Sequence, residues 1–181
     1  MTPARLNPFR SERIESLAFR PTGPGQDLAG IQERWEKAGR RGAVVGPHGS
    51  GKTTLVEQLG RRLGDTTWVD VRPGVAPVTS SSVLLLDGLE RLPWLTRRSW
   101  LAACCAPGLI ATLHRPGCGL PVLLRTTTTP DVLENLVAEL LGQPVDDHRA
   151  AECRRLFAEH RGDLRACLET LYRRWAGEES G

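Results

Sequence analysis

The chain has 181 residues, which is enough for one globular domain with a small appendage. Its 40% hydrophobic and 25% charged residues exclude a disordered or fibrous protein, and a net charge of +3 gives no indication of nucleic acid as a partner. No apolar run is long enough to cross a membrane, and the first residues lack the apolar core of a signal peptide. We therefore expect a cytoplasmic protein without a membrane partner.

The first part of the chain predicts an extended arm followed by one helix. Residues 1–25 contain four prolines and alternate basic with apolar positions. Asp27 then caps a helix that runs through Ala38, with apolar residues at helical spacing and Gly39 directly after it. Residues 1–39 are therefore predicted to be an N-terminal arm and helix.

The next segment matches the phosphate-binding loop, or Walker A motif, G-x-x-x-x-G-K-[ST]. A short apolar strand at 43–45 precedes it and a helix at 54–59 follows it, as this motif requires. Its glycines let the backbone curl so that successive N–H groups face phosphate oxygens, and the helix adds its positive end. The predicted nucleotide-binding residues are Gly46, Pro47, His48, Gly49, Ser50, Gly51, Lys52, Thr53 and Thr54.

Two residues of this loop have distinct predicted roles. Lys52 is expected to reach the terminal phosphates as a catalytic cation, and the Thr53 hydroxyl is expected to bind Mg²⁺. Lys37 and Lys52 are the only lysines among 24 basic residues. The chain therefore keeps lysine where a compact ammonium is needed instead of a planar guanidinium.

Further apolar strands follow, separated by helices or short loops. Such a pattern is typical of a parallel sheet that is buried on both faces. The stretch 75–82 is too short for a full crossover helix. We predict a nucleotide-binding core over 40–128, with strands after the first at 67–71, 83–87, 109–113 and 122–126.

Beyond residue 128 the pattern becomes entirely helical. Thr129-Pro130, Asp146 and Asp163 begin three predicted helices, and Gly142 ends the first. We predict a lid-like helical subdomain at 129–176 and a frayed tail at 177–181.

Asp87 is the second candidate site residue, because it ends the apolar strand 83–87 downstream of the phosphate loop. A P-loop fold needs a carboxylate there to hold the Mg²⁺ shell. The alternative is that Asp87 only caps the next segment. Thr53 and Asp87 are thus the predicted metal residues.

Three segments resemble a known family. Residues 84–90, L-L-L-D-G-L-E, look like the D-G-L-[DE] variant of the Walker B motif in STAND-type and related AAA+ ATPases. The strand that ends His114-Arg115-Pro116 is similar to their sensor-1 strand, and Gly162 to Arg165, G-D-L-R, resembles their lid segment G-D-x-R. This resemblance to additional-strand P-loop NTPases spans about residues 40–175. It implies a three-layer α/β fold, a five-stranded, mostly parallel sheet of order 5-1-4-3-2, and a lid that closes over the nucleotide.

The resemblance also implies site residues. Arg115 would contact the γ-phosphate, with Thr112 and His114 as alternative sensors, and Arg165 would contact the nucleotide from the lid. Most additional-strand ATPases carry Glu directly after the Walker B Asp, whereas this chain has Gly88. Glu90 is the nearest substitute as a catalytic base. It is equally well interpreted as a solvated partner of Arg91 or a first-turn helix carboxylate.

The function predicted from the sequence is Mg²⁺-dependent ATP hydrolysis that acts as a switch. ATP is favoured because no lysine follows Lys52, so the guanine-binding N-K-x-D motif is absent. One alternative is a small-molecule kinase in which Asp70 and Arg72 position the acceptor. The other is a non-hydrolysing, nucleotide-dependent binding module, which Gly88 favours. A protein partner or self-assembly is also predicted, with three arginines as possible fingers in trans: Arg91, Arg97 and Arg98.

Overall fold

The computed structural model describes residues 7–10, 13, 14, 17 and 25–178. The helices with described bounds are α1 Leu28–Lys37, α2 Lys52–Leu63, α3 Trp94–Ala103, α4 Pro130–Leu141, α5 Asp147–Glu159 and α6 Leu164–Glu178. The strands are β1 Arg41–Val45, β2 Thr66–Asp70, β3 Val83–Asp87, β4 Leu109–Leu113 and β5 Val122–Arg125, and a 3₁₀ turn covers Leu89–Arg91. No helix in this described part of the chain is long and apolar enough to cross a membrane.

The five strands form one sheet in the order β2-β3-β4-β1-β5, and every neighbouring pair is parallel. Helices α1 and α2 pack on one face, where Trp35 and Leu59 join Ile110 in a buried cluster. Helix α3 packs on the other face, where Trp100 joins Ala111. The predicted three-layer α/β fold and its strand order are therefore confirmed.

Two connections of this sheet are abbreviated. Residues 71–82, between β2 and β3, and residues 114–121, between β4 and β5, contain no helix in the described structure. The connection between the parallel neighbours β2 and β3 is about a dozen residues long, close to the minimum for a crossover, which leaves little length for a packed helix. The short loop predicted at 75–82 is thus confirmed.

The described residues divide into two compact units. One contains the described residues 25–46 and 51–126, and therefore the sheet with α1, α2 and α3. The other contains the described residues up to Leu17, the segment Pro47–Ser50 and the helices from α4 onward. The tip of the predicted phosphate loop thus belongs to the helical unit. The four segments into which we divided the chain from its sequence stay a prediction.

The helical unit has an apolar core of its own. Phe9 packs edge-on against Trp175 with ring centroids 5.8 Å apart; Phe9 belongs to a buried cluster with α4, α5 and α6, and the partly buried Trp175 packs against that cluster. The three helices begin as predicted, because Thr129, Asp146 and Asp163 each accept a hydrogen bond from the first turn. These caps supply acceptors for N–H groups that have no partner within the helix.

Candidate nucleotide-binding site

The loop between β1 and α2 has a backbone that requires glycine. Gly49 and Gly51 have φ values of +65° and +78°, in the left-handed region that residues other than glycine rarely adopt. Gly51 is also the N-cap of α2, so the chain passes directly from the loop into the helix. The motif therefore adopts the curled strand-to-helix geometry that its sequence predicts.

Lys52 lies over this loop and does not extend into solvent. Its side chain is 8% exposed, and its Nζ donates a hydrogen bond of 2.9 Å to the carbonyl oxygen of Gly46, at the opposite end of the loop. The Ser50 hydroxyl donates to the carbonyl of Pro47 at 2.8 Å. The first bond links the two ends of the loop, and the second fixes the turn at its tip.

Asp87 ends β3, and its carboxylate is held by the neighbouring strand. The hydroxyl of Thr112, buried on β4, donates to Asp87 Oδ1 at 2.5 Å. Thr53, in the first turn of α2, is exposed. Mg²⁺ prefers hard oxygen ligands and commonly takes one or two carboxylates together with phosphate oxygens and water. The hydroxyl of Thr53 and the carboxylate of Asp87 therefore fit this ion chemically.

Glu90 is a partly buried carboxylate with a specific partner. Its Oε1 lies 2.7 Å from Nε2 of His114, just after β4, and its side chain is 24% exposed. Its Oε2 is buried and has no hydrogen-bond partner within the described structure. Arg97 donates to the carbonyls of Glu90 and Leu92 at 2.6 and 2.8 Å, which fixes the turn that carries Glu90.

The partner of Arg91 is Asp70, so the suggested pairing of Glu90 with Arg91 is wrong. The Arg91 guanidinium forms an ion pair with Asp70, which also binds Arg72 at the end of β2. Gly88 has φ +79°, and a Cβ built there would lie 2.7 Å from Cζ of Arg91. A side chain at position 88 would require this flexible guanidinium to shift, and the left-handed backbone would be strained. The local geometry therefore favours the glycine found there.

Asp70 is poorly suited to act as a base. The hydrogen bond from Arg72 is the largest influence and lowers the pKa of the Asp70 carboxyl; desolvation opposes it, and the hydrogen bond from Arg91 and the charges of both arginines lower the pKa further. A general base works best when its pKa lies near the operating pH. A carboxylate held by two arginines is far from that condition.

Two predicted site arginines have exposed side chains. Arg115 lies in the loop after β4, next to His114, and is exposed. Arg165 has a 79% exposed side chain that forms an ion pair of 3.4 Å with Glu169, one turn later on α6. Their contacts with a nucleotide stay predictions.

The structure shows a partner for each of the two residues that the sequence left as alternative sensors. Thr112 and His114 were both candidates for the polar sensor, and they contact different acidic residues, Asp87 and Glu90. The sequence carries a weak signal for this, because Thr112 lies in β4 and His114 follows the strand directly, at the same edge of the sheet as Asp87. No cluster of three or more His, Cys, Asp or Glu side chains suited to a metal occurs in the described residues.

Comparison with known proteins supports the fold. No protein-family model matches the chain, and no curated protein matches it in sequence. Among solved structures, the crystal structure of Cdc6p from Pyrobaculum aerophilum is similar, with a TM-score of 0.61 and 16% identity. The match covers 96% of this chain and 66% of that one, slightly less than two thirds of its length. The two proteins therefore share a similar fold. An identity this low shows the fold alone.

Proposed function

We propose that the chain binds ATP with Mg²⁺ at residues 46–53 and hydrolyses it as a nucleotide-controlled switch. The observation that carries this proposal is the glycine-built loop between β1 and α2, with the Lys52 ammonium held over it. Backbone N–H groups, a helix N-terminus and a fixed cation together form an anion site. The loop also lies at the carboxyl end of β1, the sheet edge where open α/β folds bind ligands. We assign the core to the additional-strand AAA+ and STAND-like group.

Lys52, Thr53 and Asp87 have separate roles in this proposal. Lys52 neutralises negative charge on the terminal phosphates, and Thr53 and Asp87 hold Mg²⁺. Mg²⁺ supplies further positive charge to the phosphoryl oxygens. Thr112 keeps the carboxylate of Asp87 oriented through the bond to Oδ1.

Glu90 is the proposed base that orients the attacking water. Its Oε1 is engaged by His114, and its buried Oε2, which lacks a partner among the described residues, is the atom suited to accept a hydrogen bond from water. His114 and Arg97 act as positioning residues, because they fix the side chain and the backbone of Glu90 respectively. Arg115 would contact the γ-phosphate once ATP is bound, and Arg165 would contact the nucleotide from the lid.

The non-hydrolysing module is the second candidate. It is favoured by Gly88, which supplies no carboxylate directly after Asp87 and has a left-handed backbone that suits glycine. The kinase alternative loses support, because the residue proposed to position the acceptor, Asp70, is tied to Arg72 and Arg91. Self-assembly remains part of the proposal, with Arg98, exposed on α3, as the candidate finger in trans.

Phosphate release by the purified chain with ATP and Mg²⁺ distinguishes these functions. We expect release to water without any acceptor. Formation of ADP only with an added acceptor would support a kinase, and binding of ATP without turnover would support the module. The Lys52→Ala variant controls for contaminating ATPases.

Asp87→Asn should weaken ATP binding in Mg²⁺ by about tenfold and leave metal-free binding nearly unchanged. Asparagine keeps an Oδ1 that accepts the Thr112 hydroxyl bond, so the change removes the charge offered to the metal and preserves the local structure. The measurement is a calorimetric titration with ATP in Mg²⁺ and again in EDTA. Asp131→Asn, at an exposed position on α4, is the control. Equal losses in both buffers would mean that Asp87 is a structural cap.

A further inference from the structure

The tip of the phosphate loop packs against the start of α6. Pro47–Ser50 belong to the same compact unit as this helix. A Cβ built on Gly49 would lie 2.0 Å from Oδ1 of Asp163 and 3.0 Å from the backbone nitrogen of Leu164. Ordinary contacts of a Cβ begin at 3.4 Å. The carboxylate of Asp163 therefore lies directly on the loop backbone, where only a glycine leaves room for it.

Asp163 also caps α6, but that role does not require its charge. Its Oδ1 accepts a hydrogen bond of 3.1 Å from the backbone N–H of Ala166. Asparagine and serine serve about as well as aspartate at an N-cap. The negative charge nevertheless acts on its surroundings, because it adds to the effect of burial that raises the pKa of the Cys167 thiol to about 11.

A carboxylate in this position opposes the proposed ligand of the loop. The inward N–H groups of the loop attract phosphate, whereas a negative charge beside Gly49 repels it. We propose that Asp163 is an electrostatic brake that lowers the affinity of the loop for a nucleoside triphosphate. This inference rests on the proposed function, since it assigns a regulatory element to the same phosphate site.

Asp163→Asn tests the brake, because it keeps the cap and removes the charge. We expect the affinity for ATP with Mg²⁺ to rise about fivefold or more, within the usual range of coupling between two sites. The gain should be smaller for ADP, which carries less charge, and should shrink at high salt, since screening weakens interactions between charges. Inorganic tripolyphosphate, which lacks a base and a sugar, should show the same gain as ATP.

Asp146→Asn is the matched control. Asp146 caps α5 in the same unit, where its Oδ1 accepts a bond of 2.8 Å from the N–H of Arg149, and it is exposed. This variant should bind ATP like the wild type. Asp163→Ser provides a second uncharged cap should the asparagine variant fold poorly, and thermal unfolding verifies both.

The outcomes separate the brake from the proposed function. If the wild type binds ATP and the two uncharged variants at position 163 bind it equally or more weakly, the brake is refuted and nucleotide binding stands. If neither ATP nor tripolyphosphate binds to the folded wild type or to any variant, the proposed function fails and the brake fails with it.

Discussion

Lys52→Ala should remove tight binding of ATP with Mg²⁺ while leaving the fold intact. The change deletes a charge-assisted contact with the terminal phosphates worth roughly 1.5–3 kcal/mol. That corresponds to about a 10- to 150-fold loss of affinity. In the structure the ammonium is bonded to the carbonyl of Gly46, so the loop also loses its central cation. Calorimetric titration of the folded variant measures the effect.

Lys37→Ala is the matched control for this prediction, because Lys37 is the other lysine of the chain. Its side chain is 73% exposed on α1 and pairs with Glu33, one turn away. Exposed pairs of this kind contribute little to stability. We therefore expect wild-type affinity for ATP in Lys37→Ala. Unchanged affinity in Lys52→Ala would refute the assignment of the loop.

Glu90→Gln should lower kcat by about 10²-fold or more and spare ATP affinity, as expected when a general base is lost. Glutamine has the same shape and keeps an Oε1 that accepts a bond from His114, so the geometry of the turn should persist. Steady-state phosphate release gives kcat, and a binding titration gives the affinity.

Glu36→Gln controls for this substitution, because Glu36 is an exposed glutamate on α1. It should retain the wild-type rate. A wild-type rate in Glu90→Gln as well would leave the base unassigned and return Glu90 to a purely structural role. If the wild type itself binds ATP without turnover, the nucleotide-dependent binding module becomes the better account.

Much of the sheet could be predicted from the sequence, because its signals are local. Strand β3 is a continuous apolar run that ends in Asp87, and the phosphate loop carries its own glycines and lysine. The helix caps at Asp27, Thr129 and Asp146 are likewise local, since each side chain bonds to an N–H three residues later. The strand order came from the family resemblance, not from the periodicity of this chain.

The pairings around the site could not be predicted, because they join residues that are distant in the sequence. Glu90 and Arg91 are adjacent, yet Glu90 binds His114, just after β4, and Arg91 binds Asp70 at the end of β2. The contact between Gly49 and Asp163 depends on how the loop tip packs in the helical unit. Composition and spacing carry no information about such contacts.

Hydrogen–deuterium exchange with and without ATP and Mg²⁺ tests the central claim most directly, because it locates the bound nucleotide along the chain. Backbone N–H groups that bind phosphate lose access to water, so their exchange slows. We predict saturable slowing in the segment 46–53, and its loss in Lys52→Ala. Saturable binding with slowed exchange only outside this segment, or no binding by the folded protein at millimolar ATP, would contradict the account.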